Sequence, residues 1–231
     1  MANWDFSKQE DVQAYLKNLA AEYHFGCLEK NEPEVCHLLG DYMEAIKQDP
    51  KTAFQRYLDN CDKNGFAPSC YKAGVYYIKG QSCTKDWDLA YEKLERCCDG
   101  KEGRGCLRLG ELQWHGTQEG GGTRKPDHKT AMKTWERGCD YGNGESCFFV
   151  SGKHILGDSP GVPKDMRRAF EFARRACDQH QHAQCCANVS RMYRLGTGVE
   201  ANAEMAEKYK QAALDITENV RKGYNVAEYT G

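Results

Sequence analysis

The sequence predicts an all-α protein, a right-handed α-solenoid of five helix-pair repeats that disulfides hold together. Three observations carry this prediction. Cysteines recur at steps of 34, 36, 41 and 39 residues, a period typical of helix-pair solenoids. A small residue stands four positions after each of these cysteines. In the segments between successive cysteines, apolar residues recur at the helical spacing of three and four.

Each repeat is marked by a cysteine and a small residue one helical turn later. The pairs are Cys36 and Gly40, Cys70 and Gly74, Cys106 and Gly110, Cys147 and Ser151, and Cys186 and Ser190. A small side chain lets a neighbouring helix approach closely. The pairs therefore predict the first helix of each repeat and the face on which its partner helix packs.

A second cysteine precedes each of these by eight or nine positions, and four of the five are followed by Asp. It ends an amphipathic stretch, such as residues 53–58 or 169–173, that predicts the second helix of a repeat. A continuous helix would separate the two cysteines by about 12–13 Å, whereas a disulfide needs their Cα atoms within about 7 Å. A bridge therefore requires the chain to turn back between them.

Gly or Pro residues permit that turn in four of the five intervals, and only the interval from 178 to 185 lacks both. Structural zinc sites usually have two cysteines with two to four residues between them, and the repeated pairs do not have this spacing. We therefore predict disulfides, each joining the second helix of one repeat to the first helix of the next. The predicted bridges are Cys27–Cys36, Cys61–Cys70, Cys98–Cys106, Cys139–Cys147 and Cys177–Cys186. Two choices stay open, Cys98 over Cys97 and Cys186 over Cys185.

Ten paired cysteines leave three over, Cys83, Cys97 and Cys185. One interpretation is thiol exchange, in which a surplus thiolate attacks a neighbouring disulfide. The preferred interpretation is packing, because cysteine is often a small buried residue and the chain has no Cys-x-x-Cys redox motif.

Other candidate chemistry is weaker. His180, His182, Cys185 and Cys186 would make a zinc or copper site only at the expense of a predicted bridge. Noncovalent haem, held by His115 or His154 with a Met, is an alternative without an attachment motif. No nucleophile elbow, P-loop or dinucleotide fingerprint is present. We predict no catalytic residue, no metal and no cofactor.

The 231 residues predict a single solenoid domain over residues 1–231, with an N-terminal helix at 1–26, five repeats at 27–217 and a C-terminal tail at 218–231. The 32 basic and 34 acidic residues are spread along the chain, which gives no sign of nucleic-acid binding. No apolar run is long enough to span a bilayer. We predict a soluble monomer that binds other proteins.

The first eleven residues have no basic region, apolar core or cleavage site of a secretory signal. Thirteen cysteines nevertheless favour an oxidising compartment. The mitochondrial intermembrane space satisfies both conditions, because small cysteine-rich proteins enter it without a presequence and are trapped by oxidation.

The segment at residues 190–199 and the Ala-rich stretch at 201–214 resemble the Sel1-like repeat family, a TPR-like family. Residues 157–165 fit the pattern with an insertion, and residues 118–123 expand the third unit. The resemblance is strongest to intermembrane-space members that assemble respiratory complex IV. It implies that role, and one in complex I as well, with respiratory subunits, assembly factors and the oxidative import machinery as partners. The alternatives are a thiol-disulfide or haem-handling protein there, and a secreted bacterial cysteine-rich Sel1 protein.

Overall fold

The computed structural model describes residues 4–223, most of which are α-helical. The helices are α1 Gln9–His24, α2 Pro33–Ala45, α3 Pro50–Asn64, α4 Ala67–Lys79, α5 Trp87–Asp99, α6 Gly103–His115, α7 His128–Asp140, α8 Gly144–Leu156, α9 Met166–His180, α10 Ala183–Leu195 and α11 Ala203–Arg221. A π-helical turn, Phe25–Glu29, follows α1, and a 3-10 turn, Gln118–Gly120, follows α6. The predicted all-α, helix-repeat class is confirmed.

The described residues form two compact units. The first contains residues 4–100 and 120–122, with helices α1 to α5, and the second contains residues 101–119 and 123–223, with helices α6 to α11. Within each unit, consecutive helices joined by short turns pack against one another. We call α2, α4, α6, α8 and α10 the first helices, and α3, α5, α7, α9 and α11 the second helices. The prediction of one solenoid domain over 1–231 stays a prediction.

Every second helix begins with an Asp or Asn cap whose side chain accepts a backbone N–H in the first turn. The caps are Asp49, Asp86, Asp127, Asp165 and Asn202. An alanine follows each cap by four positions and is buried. Cap and alanine together fix where the second helix starts and which face turns to the core.

The small residues of the first helices lie where the sequence predicts a close approach. A Cβ on Gly40 would collide with the Tyr57 ring, and one on Gly110 would collide with the Trp135 indole. Ser151 Oγ donates to the Ala169 carbonyl at 2.9 Å, and Ser190 Oγ donates likewise to Ala206 at 2.7 Å. Both alanines are the buried ones that follow a cap.

The turns between paired cysteines use the expected residues where they exist. Pro33 is the first residue of α2, and Gly65 ends α3 in the left-handed conformation with φ 63°. In the fifth interval Gln181 takes that conformation instead, with φ 49°. His182 then caps α10 by accepting the Cys185 backbone N–H at 3.3 Å.

Three details differ from the sequence-based expectations. Essentially no strand was expected, but Asp158–Ser159 and Val162–Pro163 pair as a short antiparallel ladder in the insertion after α8. Helix α1 begins at Gln9, and its π-helical continuation extends past residue 26 to Glu29. Helix α11 continues to Arg221, so the first residues of the predicted tail at 218–231 are helical; residues 224–231, like 1–3, lie outside the described part. Among residues 4–223 no helix combines the length and apolar character needed to cross a bilayer.

Candidate protein-binding faces and the cysteine framework

Four disulfides lie at the turns that lead into the first helices α2, α4, α8 and α10. The first unit contains Cys27–Cys36 and Cys61–Cys70, with Cα–Cα distances of 4.5 and 4.7 Å. The second contains Cys139–Cys147 and Cys177–Cys186, at 4.8 and 4.9 Å. Cys98 and Cys106 are each disulfide-bonded as well. The spacing of eight or nine residues is thus spanned by a reversal of the chain, as the geometric argument requires.

The three remaining cysteines are thiols. Cys97 is buried in a cluster with Cys61 and Cys70. Cys185 is also fully buried, and burial raises its pKa to about 12, so the thiol is protonated at neutral pH. Cys83 is partly exposed in the turn after α4, and burial raises its pKa too. The environments of Cys83 and Cys185 disfavour the thiolate that exchange chemistry needs.

Three of the Asp residues that directly follow a bridge cysteine at the end of a second helix accept hydrogen bonds from the next second helix along the chain. Asp62 Oδ1 accepts from Lys93 Nζ at 2.7 Å and from Arg96 at 3.0 Å. Asp140 accepts from Arg175 at 2.9 Å, and Asp178 accepts from the Tyr209 hydroxyl at 3.2 Å. The Cys-Asp pattern therefore links repeats twice, by a disulfide to the next first helix and by a polar contact to the next second helix.

The first helices of the first unit carry a polar cluster. The Tyr57 hydroxyl donates to Asp41 at 2.6 Å and to Glu44 at 3.1 Å, and the Tyr76 hydroxyl donates to Glu44 at 2.8 Å. Lys72 Nζ lies 3.1 Å from Glu44. Burial alone would raise the pKa of Glu44, but the hydrogen bonds from Tyr76, Lys72 and Tyr57 hold it below its ordinary value. The cluster is internally satisfied.

An aromatic row follows the first helices of the second unit. Trp114 stacks on His128 with 4.3 Å between centroids, and Phe149 stacks on Trp135 at 4.9 Å. Phe148 stacks on His182, also at 4.9 Å. His182 Nε2 lies 3.6 Å from Glu145, and this neighbouring imidazole holds the pKa of Glu145 below its ordinary value.

Two of the candidate metal ligands are engaged in other contacts. Cys186 is bonded to Cys177, and His182 Nδ1 is occupied by the Cys185 N–H. Within residues 4–223 no group of three His, Cys, Asp or Glu side chains is placed to hold a metal ion. His115 is exposed at the end of α6. His154 is only 4% exposed, and its Nε2 has no hydrogen-bond partner.

Comparison with known proteins places this arrangement in a family. The Sel1 repeat model matches residues 18–55, 67–92, 103–143, 144–180 and 183–215, which is more than half of the chain. Cytochrome c oxidase assembly factor 7 of Xenopus tropicalis is 38% identical over 217 residues, covering 92% of this chain and 91% of that protein. The chain belongs to the cytochrome c oxidase assembly factor 7 family of Sel1 repeat proteins.

Other members of the family are similar over nearly the whole chain. The Drosophila melanogaster homolog is 35% identical over 96% of this chain and 95% of its own length. The Homo sapiens protein is 35% identical over 95% of both chains. Among solved structures, a Sel1 repeat protein from Oxalobacter formigenes has a TM-score of 0.67 at 23% identity, covering 80% of this chain and 73% of that one. The last likeness shows the fold alone.

Proposed function

We propose that the protein is a non-enzymatic assembly factor for cytochrome c oxidase that binds its clients as a scaffold in the mitochondrial intermembrane space. The observation that carries the proposal is identity of 35–38% over more than nine-tenths of both chains with proteins named for this assembly role. Likeness over nearly the whole length of both chains supports a shared role for the whole chain.

The cysteine framework supports an oxidising compartment. Disulfides join turns in both units, and such bonds persist where thiols are not kept reduced. The proposal includes import by oxidative trapping, with the import oxidoreductase as a transient partner. Binding rather than catalysis is supported by the protonated, buried Cys185 and by first helices that present mixed charged and aromatic side chains.

The test is rescue in animal cells that lack their own assembly factor 7. Expression of this chain should restore assembled complex IV, scored on native gels, and complex I is scored in the same lysates. A variant with Cys83, Cys97 and Cys185 all replaced by Ala should restore complex IV as well as the wild type. The opposite result would be rescue by the wild type and no rescue by a triple variant whose thermal midpoint is unchanged. That result would assign the function to thiol chemistry.

Compartment is tested on the same cells. The chain should be protected from protease in intact mitochondria and become accessible when only the outer membrane is ruptured. Alkylation before lysis, followed by non-reducing electrophoresis, should recover it oxidised. Reduced protein in the cytosol would contradict the proposed compartment.

A further inference from the structure

One first helix differs from the other four along one of its faces. Counting from the marker cysteine, positions one, two, five, eight and nine lie along this face. Each other first helix has two charged residues there: Asp41 and Glu44 on α2, Lys72 and Lys79 on α4, Arg108 and Glu111 on α6, and Arg191 and Arg194 on α10. Helix α8 has none. Its five residues, the α8 stripe, are Phe148, Phe149, Gly152, Ile155 and Leu156.

The α8 stripe is anchored at one end and open at the other. Phe148 stacks on His182 and Phe149 stacks on Trp135, which fixes both rings at the start of the helix. Both rings and Ile155 remain partly exposed, and Leu156 is 59% exposed. Apolar side chains fixed by their neighbours and left open to solvent are typical of the anchor points of protein interfaces.

Gly152 lies in the middle of the α8 stripe and has no internal reason to be glycine. A Cβ at this position would meet nothing within 4 Å, in contrast to Gly40, Gly74 and Gly110. Its φ is not positive, so an alanine would fit the backbone. Glycine destabilises a helix interior relative to alanine. Gly152 thus lowers helix stability and leaves open space beside the helix. A second chain that packs closely at Gly152 would explain both.

The charge around the α8 stripe indicates the partner's chemistry. At the five face positions, the first helices of the second unit carry three basic residues and one acidic residue, a net charge of +2. Glu111 is paired with Arg108, and Glu145 lies against His182. Arg191 and Arg194, which match Gly152 and Ile155 in the repeat register, are exposed and have no ion-pair partner among the residues described.

We infer that the α8 stripe is the docking site for an acidic amphipathic helix of a partner protein. Helix α8 has 13 residues and is about 20 Å long at 1.5 Å per residue. Apolar residues one turn apart match the i, i+3, i+4 and i+7 anchors of a helix laid along it. The partner's acidic residues then meet Arg191 and Arg194, and its backbone lies nearest Gly152.

This inference rests on the proposed function, because it names the kind of segment that the scaffold binds. The probes are two labelled synthetic helices of about 16 residues with Leu at those anchor positions. One has Glu at the flanking positions and the other has Lys. Binding to the full oxidised chain is measured by fluorescence anisotropy at low and raised salt.

The decisive variant is Gly152→Gln, which fills the open space with a good helix former. We expect its thermal midpoint to equal or exceed that of the wild type, while affinity for the acidic helix falls at least about tenfold. Val75→Gln, at the equivalent position of α4, is the matched control and should bind like the wild type. The double variant Arg191→Glu, Arg194→Glu should bind the acidic helix more weakly and the basic helix more tightly than the wild type does.

Several outcomes would overturn the inference. They are equal binding of both helices, no binding of either, and wild-type affinity in Gly152→Gln. A concentration-dependent dimer that Gly152→Gln abolishes would show that a second copy of this chain covers the stripe instead. In the rescue cells, restoration of complex IV by Gly152→Gln would leave the proposed function standing and remove this site from it. Failure of the wild type to rescue would remove the proposed function, whatever the peptides do.

Discussion

Arg175 donates a 2.9 Å hydrogen bond to Asp140, 35 residues earlier in the chain. The two residues lie on consecutive second helices, and Asp140 directly follows a disulfide-bonded cysteine. Lys93 and Asp62 make the same link two repeats earlier, between α5 and α3, at 2.7 Å. The two links differ in burial, because the Lys93 side chain is 7% exposed and that of Arg175 is 33% exposed.

That difference predicts unequal costs for the same substitution. Asp62→Asn should lower the free energy of unfolding by about 1–2 kcal/mol, because it weakens the partner of a buried ammonium. Asp140→Asn should cost less than about 1 kcal/mol, since the exposed pair is screened by solvent. Urea unfolding of the oxidised variants measures both. Equal costs would contradict the role assigned to burial.

Two glycines of first helices should respond oppositely to alanine. Gly110→Ala forces a Cβ into the Trp135 indole and should destabilise by about 1–3 kcal/mol. Gly152→Ala meets nothing within 4 Å and should stabilise by up to about 1 kcal/mol through helix propensity. Both changes are read from denaturant midpoints. A stabilising Gly110→Ala would show that the two helices do not pack this closely.

The Asp caps should give the protein an acid-sensitive stability. Backbone and side-chain hydrogen bonds from Thr130 hold the pKa of Asp127 below its ordinary value of 3.8. Its folded pKa is the lower one, so its contribution is complete above about pH 4 and is lost as the pH falls through the folded pKa. Asp127→Ala should cost about 0.5–1 kcal/mol at pH 7 and progressively less as the pH falls below about 4.

Asp127→Asn separates the cap from the charge. Asn202 already caps α11 through its side-chain oxygen, so Asn should keep most of the capping contribution and remove its pH dependence. Asp215→Asn, an exposed change later in α11, is the control. Urea unfolding from pH 3 to pH 7 measures the series. If Asp127→Asn loses stability at low pH as much as the wild type does, Asp127 is not the source of that loss.

Loss of a disulfide should be among the costliest of these changes. Each bridge spans eight or nine residues, and closing a loop of about ten contributes about 2.5–3 kcal/mol on the chain-entropy account. Replacing Cys61 and Cys70 together by Ala should lower the free energy of unfolding by that amount. Replacing Cys185 by Ala, a single buried thiol, is the comparison, measured by urea unfolding. Equal stability of wild type and the double variant would show that packing alone holds that turn.

Much of the repeat was predictable because it depends on local geometry. A cysteine spacing too long for a helical disulfide demands a turn, and the structure has one in each of the four bridges within a unit. Gly40 and Gly110 predict helix contacts because only a missing Cβ admits Tyr57 or Trp135. The all-α class follows from the same periodicity.

Other features depend on contacts that no single segment encodes. The Asp after the cysteine was visible in the sequence, but its donors Arg175 and Tyr209 lie more than 30 residues away. The turn at Gln181 has neither Gly nor Pro, and it is fixed by the His182 cap and the disulfide around it. The special character of α8 appears only when five equivalent positions are compared across repeats.

The short span of every bridge also determines how the chain acquires its bonds. Cys27 and Cys36 are nine positions apart in the sequence, and the partners in Cys61–Cys70, Cys139–Cys147 and Cys177–Cys186 are eight or nine apart. Closing such a loop needs no distant part of the chain, and local contacts form fastest in folding. A polypeptide threaded end-first through a narrow pore can therefore be oxidised step by step. Each closed turn holds what has already emerged, while the residues behind it are still extended.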